Sequence, residues 1–344
     1  MPSTMKQWQL AATGRNNLNL VETAVPVAGP GEVLVKAAAV SLNYRDKLAI
    51  DQGFGIPAFP FVPASDLAGT VVACGPGTQR FSPGDRVIST FEPGWIDGAQ
   101  EGSAKKPSYR TLGGEEKGVL AEYVTLPADW LVHAPSSLDA GEASTLPVAG
   151  LTAWSALAEY GGVRPGQTVL VQGTGGVSLF GLQIARAAGA SVIVTSSSDE
   201  KLERAKTLGA THGINRRTHD WVEAVYELTG GRGVDHILEV TGGANLGRSV
   251  DAIAVRGRIS VIGVFDGFEF SGPTGPLLRK SPVIQGIAVG HRRALEDFTR
   301  MIGATGLKPV IDRRYGFAEA GAAFEHLERG PFGKVVIEVA PSGY

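Results

Sequence analysis

The 344-residue sequence contains a single cysteine, Cys74. One thiol excludes a disulfide within the chain, and it also excludes a zinc knuckle built from the cysteines of one chain. The six histidines show neither an i,i+4 pair nor a short metal-ligand spacing. They are therefore interpreted as structural or surface residues, and the sequence predicts no metal centre.

The sequence also lacks a strong excess of charge of one sign and any long apolar run. Its formal net charge is -2, and 19% of its residues are charged, which argues against a nucleic-acid partner. No apolar run approaches the length of a membrane span, and residues 1–6 have no apolar targeting segment. A soluble cytoplasmic protein without a membrane partner is expected, and its length suits two domains.

The first third of the chain is typical of an irregular β domain. Short apolar runs at 32–37 and 69–73 are separated by turns rich in glycine and proline. Residues 91–118 show no clear periodicity, which leaves two alternatives, a functional lid and a mobile loop. A helical segment is predicted at about 139–160. Near the end of the chain, a helix at 292–304 and a strand at 334–339 are predicted, and the strand is expected to rejoin the first domain.

The middle of the chain alternates strand and helix patterns. The predicted strands are 168–172, 191–196, 212–215, 234–240, 257–263 and 283–289. The predicted helices are 176–188, 199–208, 219–228 and 244–254. Apolar strands that alternate with helices predict a parallel sheet covered on both faces.

The first strand–helix connection carries a glycine pattern, from Gly173 to Ser178. Gly173 permits a tight turn, and Gly175 allows the backbone to approach a pyrophosphate at the helix N-terminus. Ser178 stands where the third glycine of the dinucleotide-binding fingerprint is expected, so the match is imperfect. The pattern predicts a dinucleotide site, whose contacts would include Gly173, Thr174, Gly175, Gly176 and Val177.

The end of the second strand of this array suggests which dinucleotide is bound. An NAD site places an acidic residue there, whereas this chain has Ser196, Ser197 and Ser198. Hydroxyl groups accept a 2′-phosphate, and Lys201 and Arg216 can pair with it. NADPH is therefore predicted, while Asp199 leaves NADH open. In the alternative interpretation Ser198 only caps a helix and the basic side chains are solvated.

Several motifs in this order resemble the medium-chain dehydrogenase/reductase superfamily, in its zinc-free, quinone-oxidoreductase-like or alcohol-dehydrogenase-like branch. The resemblance rests on residues 29–35, 41–46, 83–87, 151–154, 173–178 and 332–336. It implies an α/β protein with a Rossmann dinucleotide-binding domain and a GroES-like irregular β-barrel catalytic domain. The expected boundaries are 1–130 with 293–344 for the catalytic domain and 131–292 for the Rossmann domain. It also implies a homodimer formed through the edge of the Rossmann sheet.

The resemblance also locates the positions at which zinc members of the superfamily bind their catalytic metal. These positions fall on Asn43, Ser65-Asp66 and Val148, and residues 91–118, where a structural zinc lobe would lie, contain no cysteine. An amide, a hydroxyl and a valine do not replace thiolates and imidazole. No zinc is expected, and without this Lewis acid simple alcohol oxidation is disfavoured.

Hydride addition to a carbon conjugated with a carbonyl produces an enolate, which hydrogen bonds can stabilise. The candidate donors are Asn43, Tyr44, Ser65 and Thr152. Asn43 or Tyr44 is expected to orient or polarise the carbonyl, and Tyr44 or a water would supply the proton. In the alternative interpretation residues 43–46 form only a structural turn, in which Asp46 accepts local hydrogen bonds.

The resemblance implies further contacts around the nicotinamide ring, and apolar residues are candidates for a substrate pocket. The implied nicotinamide contacts are Thr241, Gly263, Val264, Phe265, Ala288 and Val289. The pocket candidates are Phe54, Phe61, Trp95 and Phe268. The predicted function is NADPH-dependent reduction of a small-molecule quinone, enone or 2-alkenal. Two alternatives stay open: a metal-free alcohol dehydrogenase or ketone reductase, and a cofactor-binding protein without turnover.

Overall fold

The computed structural model describes residues 2–339, which divide into two compact units, 2–151 with 290–339 and 152–289. The predicted boundary at residue 130 therefore precedes the observed boundary at residue 151. A strand and helical turns lie between the two. Residues 131–151 belong to the first unit because the strand at Leu131–His133 pairs with Arg86–Ser89 and the following turns pack on the same sheet. Residues 1 and 340–344 of the predicted catalytic domain lie outside the described residues.

The strands and helices follow in chain order. The strands are β1 (Thr4–Leu10), β2 (Leu18–Ala24), β3 (Glu32–Leu42), β4 (Asp66–Cys74), β5 (Arg86–Ser89), β6 (Gly102–Ser103), β7 (Lys106–Pro107), β8 (Tyr123–Pro127), β9 (Leu131–His133), β10 (Thr168–Gln172), β11 (Ser191–Ser196), β12 (His212–Asn215), β13 (Val234–Glu239), β14 (Ile253–Val261), β15 (Val283–Gly286), β16 (Ile311–Gly316) and β17 (Lys334–Glu338). The α-helices are α1 (Tyr44–Gln52), α2 (Ala140–Ala143), α3 (Leu151–Trp154), α4 (Gly176–Ala187), α5 (Asp199–Thr207), α6 (Trp221–Thr229), α7 (Asn245–Ala252), α8 (Thr274–Lys280), α9 (Arg292–Thr305) and α10 (Ala320–Glu328).

The first unit is built on a mainly antiparallel sheet with the order β16-β17-β3-β4-β5-β9, and β8 also pairs with β3. The predicted last strand does rejoin this domain, because β17 pairs antiparallel with β3. Val33 and Val35, two residues apart on β3, and Ile337 on β17 are fully buried in the core. The strand order places β17, from the last part of the chain, beside β3, from its first part.

The second unit is a parallel sheet with the order β12-β11-β10-β13-β14-β15. Its order reverses between β10 and β13, and open sheets of this kind bind ligands at the carboxyl ends of the strands beside such a point. The predicted alternation of strands and helices is confirmed, with differences at the boundaries. β14 begins at Ile253, before the predicted 257, and β15 ends at Gly286, before the predicted 289.

Two segments differ from the sequence-based expectation. The segment 139–160 is not one regular helix, because π-helical turns at Leu146–Gly150 and Ser155–Glu159 interrupt it. Residues 43–46 do not form an isolated turn but open the helix α1, where the Asp46 carboxylate accepts the Asn43 backbone N–H at 2.8 Å. That hydrogen bond and the contact with Arg45 agree with the local role expected for Asp46.

The aperiodic segment 91–118 is tethered to the rest of the first unit. The buried Glu92 carboxylate accepts hydrogen bonds from Gln100 Nε2 at 2.6 and 2.8 Å and from the Ser108 hydroxyl at 3.3 Å. The backbone N–H of Arg292 at the start of α9 donates to the Trp95 carbonyl at 2.9 Å. A hydrogen-bonded hub therefore organises a segment for which the sequence shows no periodic pattern.

No helix among residues 2–339 has both the length and the apolar character needed to cross a lipid bilayer.

Candidate active site

The glycine turn of the second unit connects β10 to α4. Gly173 has a φ of +76°, a conformation that favours glycine, and Gly175 is the N-cap of the 12-residue helix. A Cβ atom placed on either glycine would meet no other described atom within 4 Å. Gly176 and Val177 form the first turn of the helix, and Thr174 is buried beside them. The open glycines and the helix N-terminus make a cradle that fits a pyrophosphate.

The close helix–sheet contact of the fingerprint is made one turn later than the sequence suggests. Ser178 is buried and its hydroxyl donates to the Gln172 carbonyl at 2.7 Å, so it ties the helix to the strand by a hydrogen bond. The close approach falls at Gly181, where a Cβ would lie 2.5 Å from Leu238 Cδ2. Gly181, three residues after Ser178, therefore allows the close helix–strand contact that the third glycine of the fingerprint is expected to allow.

The serine cluster lies at the carboxyl end of β11. The Ser198 backbone N–H donates to Ser196 Oγ at 3.2 Å, and Ser198 Oγ caps α5 by accepting the Lys201 N–H at 3.3 Å. The Arg216 N–H donates to the Ser196 carbonyl at 2.9 Å, which holds the exposed Arg216 next to the serines. Ser197 is half-buried between them in the chain. The capping role of Ser198 is thus observed. Ser196, Ser198 and the Arg216 backbone lie together at the carboxyl end of β11.

A buried carboxylate that the sequence analysis missed organises the next loop. Glu239, at the end of β13, is fully buried and accepts the backbone N–H groups of Thr241 and Gly242 at 2.9 and 3.0 Å. It also accepts hydrogen bonds from the side chains of Gln172 and Asn245, each at 2.9 Å at its shorter contact. This network fixes the backbone of the loop that carries Thr241. A charged residue at the end of an apolar strand was the available signal.

The remaining residues implied at the nicotinamide follow the carboxyl ends of the strands β13 to β15. Gly263 must be glycine, because a Cβ there would lie 1.7 Å from the Val240 carbonyl oxygen. Val289 is buried with a φ of +67°, which is strained for a β-branched residue. Val264 and Ala288 are half-buried, whereas Phe265 is 56% exposed. The strand topology brings these positions to the same sheet edge as the glycine turn.

In the first unit, buried polar groups meet where β3 ends, α1 begins and β17 starts. The Lys334 ammonium donates to the Leu42 carbonyl at 2.7 Å and to Asn43 Oδ1 at 2.5 Å. Asp66 Oδ2 lies 3.9 Å from the same nitrogen. The Asp66 and Lys334 side chains are almost completely buried, and Asp46 is fully buried nearby. We refer to Asn43, Asp46, Asp66 and Lys334 as the buried polar cluster.

Burial changes the protonation of this cluster. Desolvation raises the pKa of Asp46 to about 6, although the Arg45 guanidinium opposes the rise. Desolvation likewise raises the pKa of Asp66, and the Lys334 ammonium and the Asn43 amide oppose it. Burial lowers the pKa of Lys334, while Asp66 and Asp46 act in the opposite direction. Each charge in the cluster therefore depends on the others.

The four candidate donors differ in accessibility. Tyr44, the first residue of α1, is 37% exposed, whereas Asn43 is buried and its amide oxygen binds Lys334. Ser65 is fully buried and its hydroxyl donates to Asp66 Oδ1 at 2.7 Å, so here it binds a carboxylate of its own unit. Thr152 is buried at the start of the second unit. Tyr44 is therefore the exposed donor of the set.

The aromatic residues expected around a substrate are also divided by burial. Phe61 is buried, and its backbone pairs with Leu10, so it belongs to the core and not to a pocket. Trp95 is half-buried and donates to the Gly98 carbonyl at 3.0 Å within its own loop. Phe54 and Phe268 are 42% and 70% exposed.

The donor chemistry of the first unit does not fit a catalytic zinc ion. The zinc-ligand positions that the resemblance implies hold the Asn43 amide, the Ser65 hydroxyl and the Asp66 carboxylate. The fourth position, Val148, lies in a π-helical turn. Zinc in proteins binds thiolate, imidazole and carboxylate ligands, so Asp66 alone qualifies. A dication there would also face the Lys334 ammonium, which is 2.5 Å from Asn43 Oδ1. Within residues 2–339, no group of three histidine, cysteine, aspartate or glutamate side chains could hold a metal.

Comparison with family models matches both units. Residues 29–136 match the alcohol dehydrogenase GroES-like domain, and residues 176–304 match the zinc-binding dehydrogenase domain. Among curated proteins, a zinc-type alcohol dehydrogenase-like protein of Schizosaccharomyces pombe is 41% identical over 95% of this chain and 96% of its own. The quinone oxidoreductase of Sus scrofa is 26% identical over 92% of both chains.

Solved structures agree with these matches. A crystal structure assigned as an alcohol dehydrogenase from Sinorhizobium meliloti 1021 is 62% identical, with a TM-score of 0.96 over 98% of this chain and all of the other. A crystal structure of an NAD-dependent alcohol dehydrogenase is 34% identical, with a TM-score of 0.88 over the same shares. The chain therefore belongs to the medium-chain dehydrogenase/reductase superfamily and is an oxidoreductase with a GroES-like domain and a Rossmann-type nucleotide-binding domain.

Proposed function

We propose that this oxidoreductase works without zinc and uses NADPH to reduce a carbon conjugated with a carbonyl, as in a quinone or an enone. One observation carries this proposal: the buried ammonium of Lys334 binds Asn43 and faces Asp66, where zinc members of the superfamily bind their metal. An enolate spreads its charge and needs less electrophilic assistance than a localised alkoxide. The similarity to the quinone oxidoreductase of Sus scrofa supports this substrate class.

The second unit offers the groups that would hold the nucleotide. The backbone N–H groups after Gly175 would face the pyrophosphate, and the serines at 196–198 with Lys201 and Arg216 would bind a 2′-phosphate. The buried Glu239 network keeps the loop at Thr241 in place. When bound, the nicotinamide supplies the hydride.

In the first unit, Tyr44 would bind the carbonyl oxygen of the substrate. Its side chain is exposed and stands at the N-terminus of α1, next to the anchored Asn43. A phenol that donates a hydrogen bond to this oxygen stabilises the developing enolate, and it can pass on its proton as the charge grows. Tyr44 thus takes the donor role that the sequence analysis left open between two residues.

A second candidate is a metal-free alcohol dehydrogenase or ketone reductase on the same scaffold. It is favoured by the 62% identity to the structure assigned as an alcohol dehydrogenase. In that case the same Tyr44 hydroxyl would exchange a proton with a saturated alkoxide. The two candidates differ in whether the substrate carbonyl is conjugated with a carbon–carbon double bond.

The decisive assay measures NADPH and NADH oxidation against a quinone, an enone and a saturated ketone, with and without a chelator. We expect chelator-insensitive oxidation of NADPH with the quinone or the enone, and a purified protein with far less than one equivalent of zinc by elemental analysis. Loss of turnover after chelation would refute zinc independence. Turnover of the saturated ketone alone would favour the second candidate.

Tyr44→Phe tests the donor within the same assay. We expect kcat for the preferred acceptor to fall by about 100-fold, because a positioned general acid contributes at least this much. The Kd of NADPH should stay unchanged. Tyr123→Phe on β8 is the matched control, since it removes a hydroxyl from a half-buried tyrosine of the same unit. Equal turnover of both variants would exclude Tyr44 as the donor.

A further inference from the structure

The Lys334 side chain joins two parts of the first unit that are far apart in sequence. It projects from the first residue of β17 and binds Leu42 and Asn43, which lie about 290 residues earlier. An ammonium has three N–H donors and no acceptor. Two of them bind the Leu42 carbonyl and Asn43 Oδ1, and Asp66 Oδ2 lies 3.9 Å from the nitrogen. The lysine is only 3% exposed.

These contacts fix the orientation of the Asn43 amide. Because an ammonium can only donate, the amide oxygen and not the NH2 group must face Lys334. The backbone N–H of Asn43 is held separately, by the Asp46 carboxylate at 2.8 Å. Asn43 is thus held by its side chain and its backbone, and the next residue is Tyr44, the exposed donor at the start of α1.

The cluster also compensates charge. Asp66 and Asp46 are fully buried, and a buried carboxylate without a counter-charge strongly disfavours the folded arrangement around it. Asp66 faces the Ser65 hydroxyl, the Lys334 ammonium, the Asn43 side chain and the Val148 backbone. Asp46 faces Arg45 and the Asn43 backbone, and it also interacts electrostatically with Asp66 and Lys334. Lys334 is therefore the buried cation on which the geometry of the β3–α1 corner depends.

We propose that Lys334 is the positioning residue of the active site, an internal cation that holds Asn43 and Asp66 and thereby sets the place of Tyr44. It touches neither substrate nor cofactor in this role; it acts through the residues at the start of α1. The Lys334 ammonium, which is part of the chain itself, thus fixes the side chains of Asn43 and Asp66 without a metal ion. The inference rests on the proposed role of Tyr44.

A double-mutant cycle tests this role. Lys334→Met and Lys334→Arg are each made in the wild type and in Tyr44→Phe, and kcat, KM and the Kd of NADPH are measured. We expect Lys334→Met to lower kcat by at least about 10-fold, because a small displacement of a positioned group has effects of this size. In Tyr44→Phe the same substitution should lower kcat by less than about 3-fold, since coupled residues are not additive.

Lys308→Met is the matched control. The Lys308 ammonium also binds a backbone carbonyl, that of Ser137 at 2.6 Å, and a carboxylate, that of Glu142 at 2.9 Å, but it lies at the surface of the same unit. Its substitution should leave kcat, KM and the Kd of NADPH unchanged. The Kd of NADPH should also stay within about 2-fold in both Lys334 variants, because the nucleotide groups belong to the second unit.

The outcomes separate the two proposals. If the losses from Lys334→Met and Tyr44→Phe multiply, Lys334 does not act through Tyr44 and the inference is overturned. If Lys334→Met does not fold, the same comparison between the wild type and Tyr44→Phe is made with Lys334→Arg, which keeps the charge. If the enzyme turns over a saturated ketone and not an enone, the proposed substrate class fails, while the cycle with the ketone still decides the role of Lys334.

Discussion

At the scale of single residues, the charged groups of the buried polar cluster and the exposed hydroxyl of Tyr44 have different environments. Asp46, Asp66 and Lys334 are buried and interact with one another, whereas Tyr44 reaches the surface of its unit. Burial makes the first group sensitive to the loss of any partner, because an uncompensated charge in the interior is strongly unfavourable. We therefore propose that the buried set determines the geometry of the site and that Tyr44 contacts the substrate.

Arg216→Glu tests the proposed preference for NADPH. Arg216 is exposed and its backbone N–H binds the Ser196 carbonyl, and the substitution would replace its guanidinium with a carboxylate that repels a 2′-phosphate. We expect the KM for NADPH to rise about 10- to 100-fold, since charge-assisted hydrogen bonds contribute about 1.5–3 kcal/mol, and the KM for NADH to stay the same. Steady-state kinetics with each cofactor measure both. A parallel rise of the two KM values would show that Arg216 does not recognise the phosphate.

Asp46 predicts a specific dependence of stability on pH. Its pKa is raised from 3.8 to about 6 in the folded state, so the folded protein binds this proton more tightly than the unfolded chain. The free energy of unfolding should therefore fall as the pH rises through this window. At about 1.4 kcal/mol per pKa unit, the loss from this group is about 3 kcal/mol.

Asp46→Asn removes this titration while its amide oxygen can still accept the Asn43 N–H. Urea unfolding of both proteins at pH 4.5, 5.5 and 7 gives the difference in their free energies of unfolding. We expect the difference to shift towards the variant as the pH rises. A difference that is constant across the three pH values would contradict the raised pKa of Asp46.

At the scale of elements, the packing of α4 on its sheet depends on one small residue. A Cβ on Gly181 would lie 2.5 Å from Leu238 Cδ2 and 3.3 Å from Val171 Cγ1, and both neighbours are fully buried. Interiors are packed too densely to accommodate such a group without shifts. By contrast, a Cβ on Gly303 in α9 would meet no described atom within 4 Å.

The same substitution should therefore have opposite effects in the two helices. Gly181→Ala should lower the free energy of unfolding by about 1–2 kcal/mol, because overpacking exceeds the gain in helix propensity. Gly303→Ala should raise it by about 0.5–1 kcal/mol, since only the propensity changes. Chemical denaturation of the two variants decides this. Destabilisation by both would mean that the open space at Gly303 was misjudged.

At the scale of the whole molecule, β15 is one of the two edge strands of the Rossmann-type sheet, and no strand among residues 2–339 pairs with its outer side. β15 pairs with β14 on one side, and Val283 and Ile284 on it are 45% and 38% exposed. Unpaired apolar edge strands readily pair with another chain. We propose that a second copy of this chain covers the edge and forms a homodimer.

Ile284→Lys tests this dimer. A charge on the edge strand should be buried unfavourably in the interface, so the wild type should sediment as a dimer and the variant mainly as a monomer at micromolar concentration. The matched control is His212→Lys on β12, the opposite edge of the same sheet, which should remain dimeric. A monomeric wild type in analytical ultracentrifugation would refute the proposal.

The sequence by itself determined the parts of the fold that local patterns encode. The strands at 168–172, 191–196 and 212–215 were predicted with their observed bounds. For the first two the reason is that a buried parallel strand is a short apolar run between turn residues. The tight turn at Gly173 was equally clear, since only a few residues are needed to produce it. The absence of thiolates and imidazoles at the zinc-ligand positions could also be recognised from the sequence.

Only the tertiary structure decided which of the candidate residues meet. Lys334 lies in a motif that the sequence shows, at 332–336, but nothing in that motif indicates that it binds Asn43, which it does because β17 pairs with β3. Ser65 had the composition of a donor, but the same packing buries it against Asp66. Periodicity and capping depend on neighbours in the chain, whereas burial and the pairing of charges depend on contacts between segments about 290 residues apart, which no local pattern records.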